Sequence, residues 1–176
     1  MKSLIKQGSI FTLLLILAAC ANLQRLNIAA IQSADLNNLN VPESNALASG
    51  QPTQEQIKVL AEAGVKHVIS LRRPEEIDWD EQAVVEANGM QFYSIPVAGL
   101  AGITKANATK LEDLLNSLGN EAVLVHCGSS NRVGALKTLA SLDGDDSASI
   151  EAAFTEGRRW GLTRLEEPLR EKLQSQ

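Results

Sequence analysis

The run Val123-Leu124-Val125-His126-Cys127-Gly128-Ser129-Ser130-Asn131-Arg132-Val133 holds the residue types and spacing in this 176-residue chain that point to chemistry. An apolar stretch ends at a cysteine, small polar residues follow, and an arginine stands where a helix would begin. A strand that passes through such a turn into a helix aims several backbone N–H groups and the positive end of the helix dipole at one spot, which stabilises an anion there. Cys127 opens the turn, so these amides and the Arg132 guanidinium favour the thiolate, the nucleophilic form of the side chain. The planar fork of Arg132 also suits an oxyanion. A cysteine that merely packs a core requires none of these neighbours. The site expected from the sequence is therefore Cys127, Arg132 and His126, with Gly128, Ser129, Ser130 and Asn131 as the anion-binding loop. His126 is expected to orient the loop by hydrogen bonding more than to transfer a proton. Asn131 is a residue type that tolerates the left-handed conformation a tight turn needs.

Composition narrows the classes. The chain is 44% hydrophobic and 21% charged with a net charge of -5, which is ordinary for a globular domain. There is no basic block, and six aromatic residues in all (three Phe, two Trp, one Tyr) give little to stack on bases, so nucleic acid is not an expected partner. Two histidines far apart in sequence and one available cysteine make no convincing ligand set, and neither metal nor cofactor is expected.

The other cysteine has a different job. Lys2 and Lys6 precede an apolar run at residues 10–17, about half the length needed to span a bilayer, and Ala18 and Ala19 follow. This reads as a signal peptide over residues 1–19. Leu17-Ala18-Ala19-Cys20 resembles the bacterial lipobox, which implies lipidation of Cys20 and attachment to a membrane. Ala21 is not the aspartate associated with inner-membrane retention, so the periplasmic face of the outer membrane is the expected location. With Cys20 acylated, Cys127 has no partner for a disulfide within the chain.

Further elements must position the cysteine loop. Residues 20–48 show no sustained period and read as a lipid-anchored tether. The folded domain is expected over residues 49–176. Thr53 with Gln56 three places on is a capping box that starts a helix, with Ile57, Leu60 and Ala61 on its apolar stripe and Gly64 at its end. Strands are expected at residues 65–71, 92–97 and 121–126, and helices at 80–88, 107–118, 133–142, 147–156 and 163–173. Helices between short apolar strands imply an α/β domain with a mainly parallel sheet of about four or five strands flanked by helices. In such sheets a reactive site lies where strands end and helices begin.

His126-Cys127 with Arg132, Ser49-Gly50-Gln51-Pro52, the run from Gly64 to Arg72, Ile95-Pro96-Val97 and Gly161-Leu162-Thr163-Arg164-Leu165 together resemble the phosphatase-like domain of beta-lactamase-hydrolase-like proteins. The likeness spans residue 49 to about residue 170. It implies the protein-tyrosine-phosphatase fold and a small anionic substrate. It also implies a cysteinyl-phosphate mechanism, in which Cys127 attacks phosphorus, Arg132 and the loop amides hold the equatorial oxygens, and an aspartate protonates the leaving group.

The pattern departs from that superfamily at specific positions. Four residues separate Cys127 from Arg132 where those phosphatases have five, and rhodanese-type sulfurtransferases use the shorter spacing around a persulfide. Val133 replaces the usual hydroxyl residue, and Ser130 the usual glycine. The loop at residues 98–104, where the general acid commonly lies, contains no acid. Glu75, Glu76, Asp78 and Asp80 belong to another loop and read as a solvated stretch. Arg72 and Arg73 either extend the anion site or pair with Glu75 and Glu76. Trp160 is expected to cover the core, not to bind substrate. Three functions stay open: a cysteine-dependent phosphatase-like hydrolase, a rhodanese-like sulfurtransferase, and a catalytically weak anion-binding module.

Overall fold

Short strands with apolar residues on both faces need cover on both sides, and the chain supplies two layers of helices. The computed structural model describes residues 26–175; the signal-like segment and Cys20 lie outside them. Five strands, β1 (Asn40–Glu43), β2 (Ala46–Ser49), β3 (His67–Ser70), β4 (Gln91–Ser94) and β5 (Val123–His126), lie in the order β1-β2-β5-β3-β4. β2, β5, β3 and β4 are parallel, and β1 pairs antiparallel with β2 at the edge.

The two-residue period of the strands sorts the core into two halves. Leu47, Val68 and Leu124 face a layer made by α1 (Ile28–Ser33), α2 (Gln54–Glu62) and α3 (Glu81–Ala87), where Ile31, Ile57, Leu60 and Val85 are buried. Ala48, Ile69 and Val125 face α4 (Lys105–Leu118), α5 (Asn131–Ala140), α6 (Ser147–Arg159) and α7 (Glu166–Gln174). The capping box of Thr53 and Gln56 forms as expected, and the side chains of Thr104 and Asp146 accept from first-turn amides as simple N-caps of α4 and α6.

The segment expected to be a tether is instead part of the domain from Leu26 onward. It contributes α1 and two strands, and β2 sits inside the sheet beside β5. The period was invisible because β2, Ala46-Leu47-Ala48-Ser49, is four residues long and buried throughout, so it carries no polar alternation. β3 is shorter than expected at both ends, β4 begins one residue early and ends at Ser94, β5 begins two residues late, and α5 begins at Asn131, two residues before the expected start.

α5 is the buried axis of the second layer. Val133, Ala135, Leu136 and Thr138 are closed off from solvent, and α6 crosses it at two glycines. A Cβ on Gly134 would overlap the Leu162 backbone and stand 2.5 Å from the Gly157 carbonyl oxygen. Lys137 on this helix pairs with Glu112 at 2.6 Å and lies 4.6 Å from the centroid of the Trp160 ring. Trp160 is 1% exposed and covers the core, as its sequence context suggested. We predict that Gly134→Ala destabilises the domain by about 1–3 kcal/mol through overpacking at this crossing. Thermal unfolding would register a fall in Tm, and an unchanged Tm would show that the crossing yields freely.

Candidate functional site

The cysteine loop leaves the end of β5, the second of the four parallel strands, and enters α5 within a few residues. Gly50 makes an antiparallel bridge to Ser129, and a Cβ on Gly50 would stand 3.0 Å from the Gly128 carbonyl oxygen. The landmark Ser49-Gly50-Gln51-Pro52 therefore needs its glycine so that two backbones can meet behind the loop. The Asn38 side chain donates to the Ser129 carbonyl at 3.3 Å, a further contact from the segment that proved to be folded.

Within the loop the left-handed residue is Ser130, with φ at 63°, and not Asn131. Its hydroxyl turns inward and donates to the Trp160 carbonyl at 3.0 Å. The neighbouring Gly161, itself at φ 90°, has no room for a Cβ against that hydroxyl. The serine at the usual glycine position is thus accommodated by a glycine on the facing turn. The Asn131 side chain is also occupied: its Oδ1 accepts from the Thr163 amide at 3.0 Å, the Thr163 hydroxyl at 3.1 Å and the Leu165 amide at 3.1 Å. Asn131 contributes its backbone to the loop and uses its side chain to fix the next segment.

Cys127 is 1% exposed but lines a pocket of about 450 Å³ together with Gly128, Ser129, Arg132, Arg73 and Arg164. The Ser129 amide donates to Cys127 Sγ at 3.5 Å. Arg132 reaches over the loop from the first turn of α5. Its Nη1 donates to the Val97 carbonyl at 2.7 Å, the Leu71 carbonyl at 3.2 Å and Glu76 Oε1 at 3.1 Å, and its Nη2 donates to Glu76 Oε2 at 2.7 Å. The end-on fork of the guanidinium is therefore filled by Glu76, while Nε–H and the second Nη2 hydrogen, the side-on fork, make no hydrogen bond among the described residues. Burial opposes the charge of Arg132, but Glu76 and the nearby Cys127 sulfur outweigh it, and its pKa is raised.

Glu76 corrects the expectation of a solvated acidic stretch. It ends the 3-10 turn Pro74–Glu76, and besides Arg132 it pairs with Arg72 at 2.8 Å and Arg73 at 3.0 Å. The Arg132 hydrogen bonds hold its carboxyl at a pKa of about 2, against a burial penalty, with Arg73 and Arg72 adding to the effect. Glu76 is therefore an anchor for arginines and too acidic to donate a proton near neutrality. Arg72 and Arg73 realise both readings at once, since they pair with the acidic turn and also flank the loop; a Cβ on Gly128 would lie 3.6 Å from Arg72 Nη1. The spacing Arg72 to Glu76, four residues, was the one sequence signal for this arrangement.

His126 does not join this group. It points to the opposite face of the sheet from Cys127, is fully buried, and has Nε2 3.1 Å from Oε1 of Glu81, the buried first residue of α3. Gln51 donates to the same Glu81 oxygen at 2.5 Å. Burial raises the Glu81 pKa, yet the contacts with His126, Gln51 and Ser70 prevail and lower it. His126 is in place to hold the strand end and is not placed for proton transfer at the sulfur. Sequence reasoning missed Glu81 because its charge on an amphipathic helix gave no hint of burial. Among the described residues, no three His, Cys, Asp or Glu side chains cluster as metal ligands.

A mainly parallel sheet with a cysteine–arginine loop at its carboxyl end is the arrangement expected of a cysteine-loop phosphatase fold. Residues 36–136 match the model of the Swiss Army Knife DSP-PTPase phosphatase domain, PTP-SAK, and the chain belongs to that family. Solved structures agree on the fold. A DUF442 phosphatase candidate from Shewanella putrefaciens is 22% identical, with a TM-score of 0.58 over 77% of this chain and 99% of its own. A phosphatase candidate from Neisseria meningitidis is 20% identical, with a TM-score of 0.62 over 78% of this chain and 97% of its own. Tk-PTP in its active form is 18% identical, with a TM-score of 0.54 over 78% of this chain and 95% of its own. No curated protein matches the chain.

The pairing of Glu76 gives a pH signature. Its carboxyl is more acidic folded than unfolded, so the stabilisation is complete above the ordinary value of 4.5 and is lost as pH falls toward about 2. We predict that Glu76→Gln is less stable than the wild type at pH 6, and that the gap closes between pH 4.5 and pH 2 as measured by denaturant unfolding. A gap independent of pH would contradict the pairing.

Proposed function

We propose that the chain is a cysteine-dependent phosphomonoester hydrolase. The observation that carries this reading is the division of labour at Arg132: Glu76 and two carbonyls fill one edge of the guanidinium and leave the other edge beside Cys127 for an oxyanion. Cys127 as the thiolate attacks phosphorus and the ester oxygen departs. The equatorial oxygens take hydrogen bonds from the loop amides and the side-on fork of Arg132, and water then cleaves the S–P bond. Membership of the phosphatase family supports the same chemistry. The landmarks around Ser49, Val97 and Gly161 favour, within that family, the branch that resembles the domain of beta-lactamase-hydrolase-like proteins.

The leaving group must depart with little help. The loop at residues 98–104 has no acid, and Glu76, the carboxylate lining the pocket, is held ionised. General acid catalysis is worth about 10²–10⁴-fold, so aryl phosphates should react far better than alkyl phosphates. The acid-free loop and the four-residue spacing also favour a second reading, persulfide transfer through Cys127, which needs no such acid.

The full-length chain, purified in detergent, separates the two when assayed on an aryl phosphate and on thiosulfate with cyanide. Phosphate release that falls at least about 10³-fold in Cys127→Ser and about 10²-fold or more in Arg132→Ala is the expected result. Thiocyanate formation dependent on Cys127, without phosphate release, would select the transferase. We further propose that Cys20 carries a lipid and holds the domain at the cell envelope. Replacing Cys20 with Ser should abolish labelling by radioactive palmitate and move the protein to the soluble fraction; unchanged labelling would refute the anchor.

A further inference from the structure

Seven arginines lie among the described residues, and six of them, Arg72, Arg73, Arg132, Arg158, Arg159 and Arg170, are paired with carboxylates. Arg164 is the exception, in a chain with a net charge of -5 where carboxylate partners are plentiful. Even the adjacent Glu166 is taken by Arg158 and Arg170. Arg164 lines the cysteine pocket, and its Nη2 lies 3.3 Å from the Ser129 hydroxyl, on the same residue whose amide donates to Cys127 Sγ.

The position of this arginine is built by the loop itself. Asn131 Oδ1 accepts from the backbone on either side of it, at Thr163 and at Leu165, and Asn131 Nδ2 donates to the Ser129 carbonyl at 3.2 Å. One side chain thus ties the backbone that carries Arg164 to the backbone that cradles the anion. An exposed arginine that only improved solubility would need no such fixture. The pocket, at about 450 Å³, is within the range that holds a whole small ligand, not a phosphoryl group alone.

We propose that Arg164 forms a second anion subsite beside Cys127, so that the substrate is a phosphomonoester bearing a further anionic group, a carboxylate or a second phosphate, close to the reacting one. The proposal rests on the hydrolase reading for its reacting phosphate. In this arrangement Arg132 and the loop amides take the phosphoryl oxygens, and Arg164 takes the second anion by charge-assisted hydrogen bonds.

The test compares 3-carboxyphenyl phosphate with 3-carbamoylphenyl phosphate, which differ in charge but hardly in shape, on the full-length chain in detergent. The readout is the ratio of the two kcat/KM values within each variant. The wild type should prefer the carboxylate by about tenfold, the scale of one hydrogen bond between charged groups. Arg164→Gln should bring the ratio close to one, and Arg164→Lys should retain part of the preference. A wild-type ratio near one, or a preference that survives in Arg164→Gln, overturns the proposal. If neither ester is cleaved in a Cys127-dependent manner, the hydrolase reading fails, and calorimetry on Cys127→Ser then decides the subsite. Diphosphate binding more tightly than phosphate, with the difference lost on adding Arg164→Gln, upholds it. Equal binding of the two removes it.

Discussion

The contact between Arg132 and Glu76 is the constraint on which the site depends. A guanidinium largely withdrawn from water must be matched by acceptors, and here it is matched by a carboxylate and two backbone carbonyls. Those acceptors come from three separate places: the end of β3 at Leu71, the stretch after β4 at Val97, and the 3-10 turn at Glu76. One side chain from α5 therefore gathers the carboxyl ends of neighbouring strands around the cysteine loop. The same contact decides which edge of the arginine faces the pocket. Arg73, Arg132 and Arg164 line the pocket against one lining carboxylate, Glu76, so the pocket is net positive inside an acidic protein, which favours entry of anions.

Around that contact, the alternation of a strand separates two kinds of work. His126 and Cys127 are adjacent in sequence but face opposite layers of helices. The histidine meets Glu81, itself held by Gln51, in the first layer, while the cysteine meets the Ser129 amide and Arg132 at the second. The loop residues are divided in the same way. Gly128 and Ser129 present backbone to the pocket, whereas Ser130 and Asn131 turn their side chains to the segment 160–165 and fix it. The absence of the usual glycine at position 130 is thus tied to the presence of one at position 161, because only one of the two facing turns has room for a side chain.

The chemistry follows from what the pocket contains and what it lacks. It holds Cys127, backbone amides and positive charge, and the carboxylate that lines it, Glu76, is spent on holding arginines. Such a site can stabilise charge on a phosphoryl group and does little to ease the departure of a poor leaving group.

The residues at positions 126–132 were readable without coordinates because a loop between a buried strand and a helix is a local object, set by adjacent residues and by the amides they carry. The helices beginning at Thr53 and Asp80 were readable for the same reason, and the mainly parallel sheet was readable from the alternation of short apolar strands with helices. β1 and β2 were not: β2 is four buried residues without polar alternation, and β1, Asn40-Val41-Pro42-Glu43, is an edge strand with one buried residue, so neither has a period to detect. Nor were Glu76, Glu81 and Arg164, whose meaning lies in partners far away in sequence. Glu76 stands 56 positions from Arg132, and Arg164 stands 35 from Ser129. The sequence alone determined the strand–turn–helix that carries Cys127 and Arg132, and the class of fold. Only the packed sheet decided which carboxylate is ionised and which arginine is left over, because charge pairing depends on distance in space, and that distance is set when the helices close over both faces.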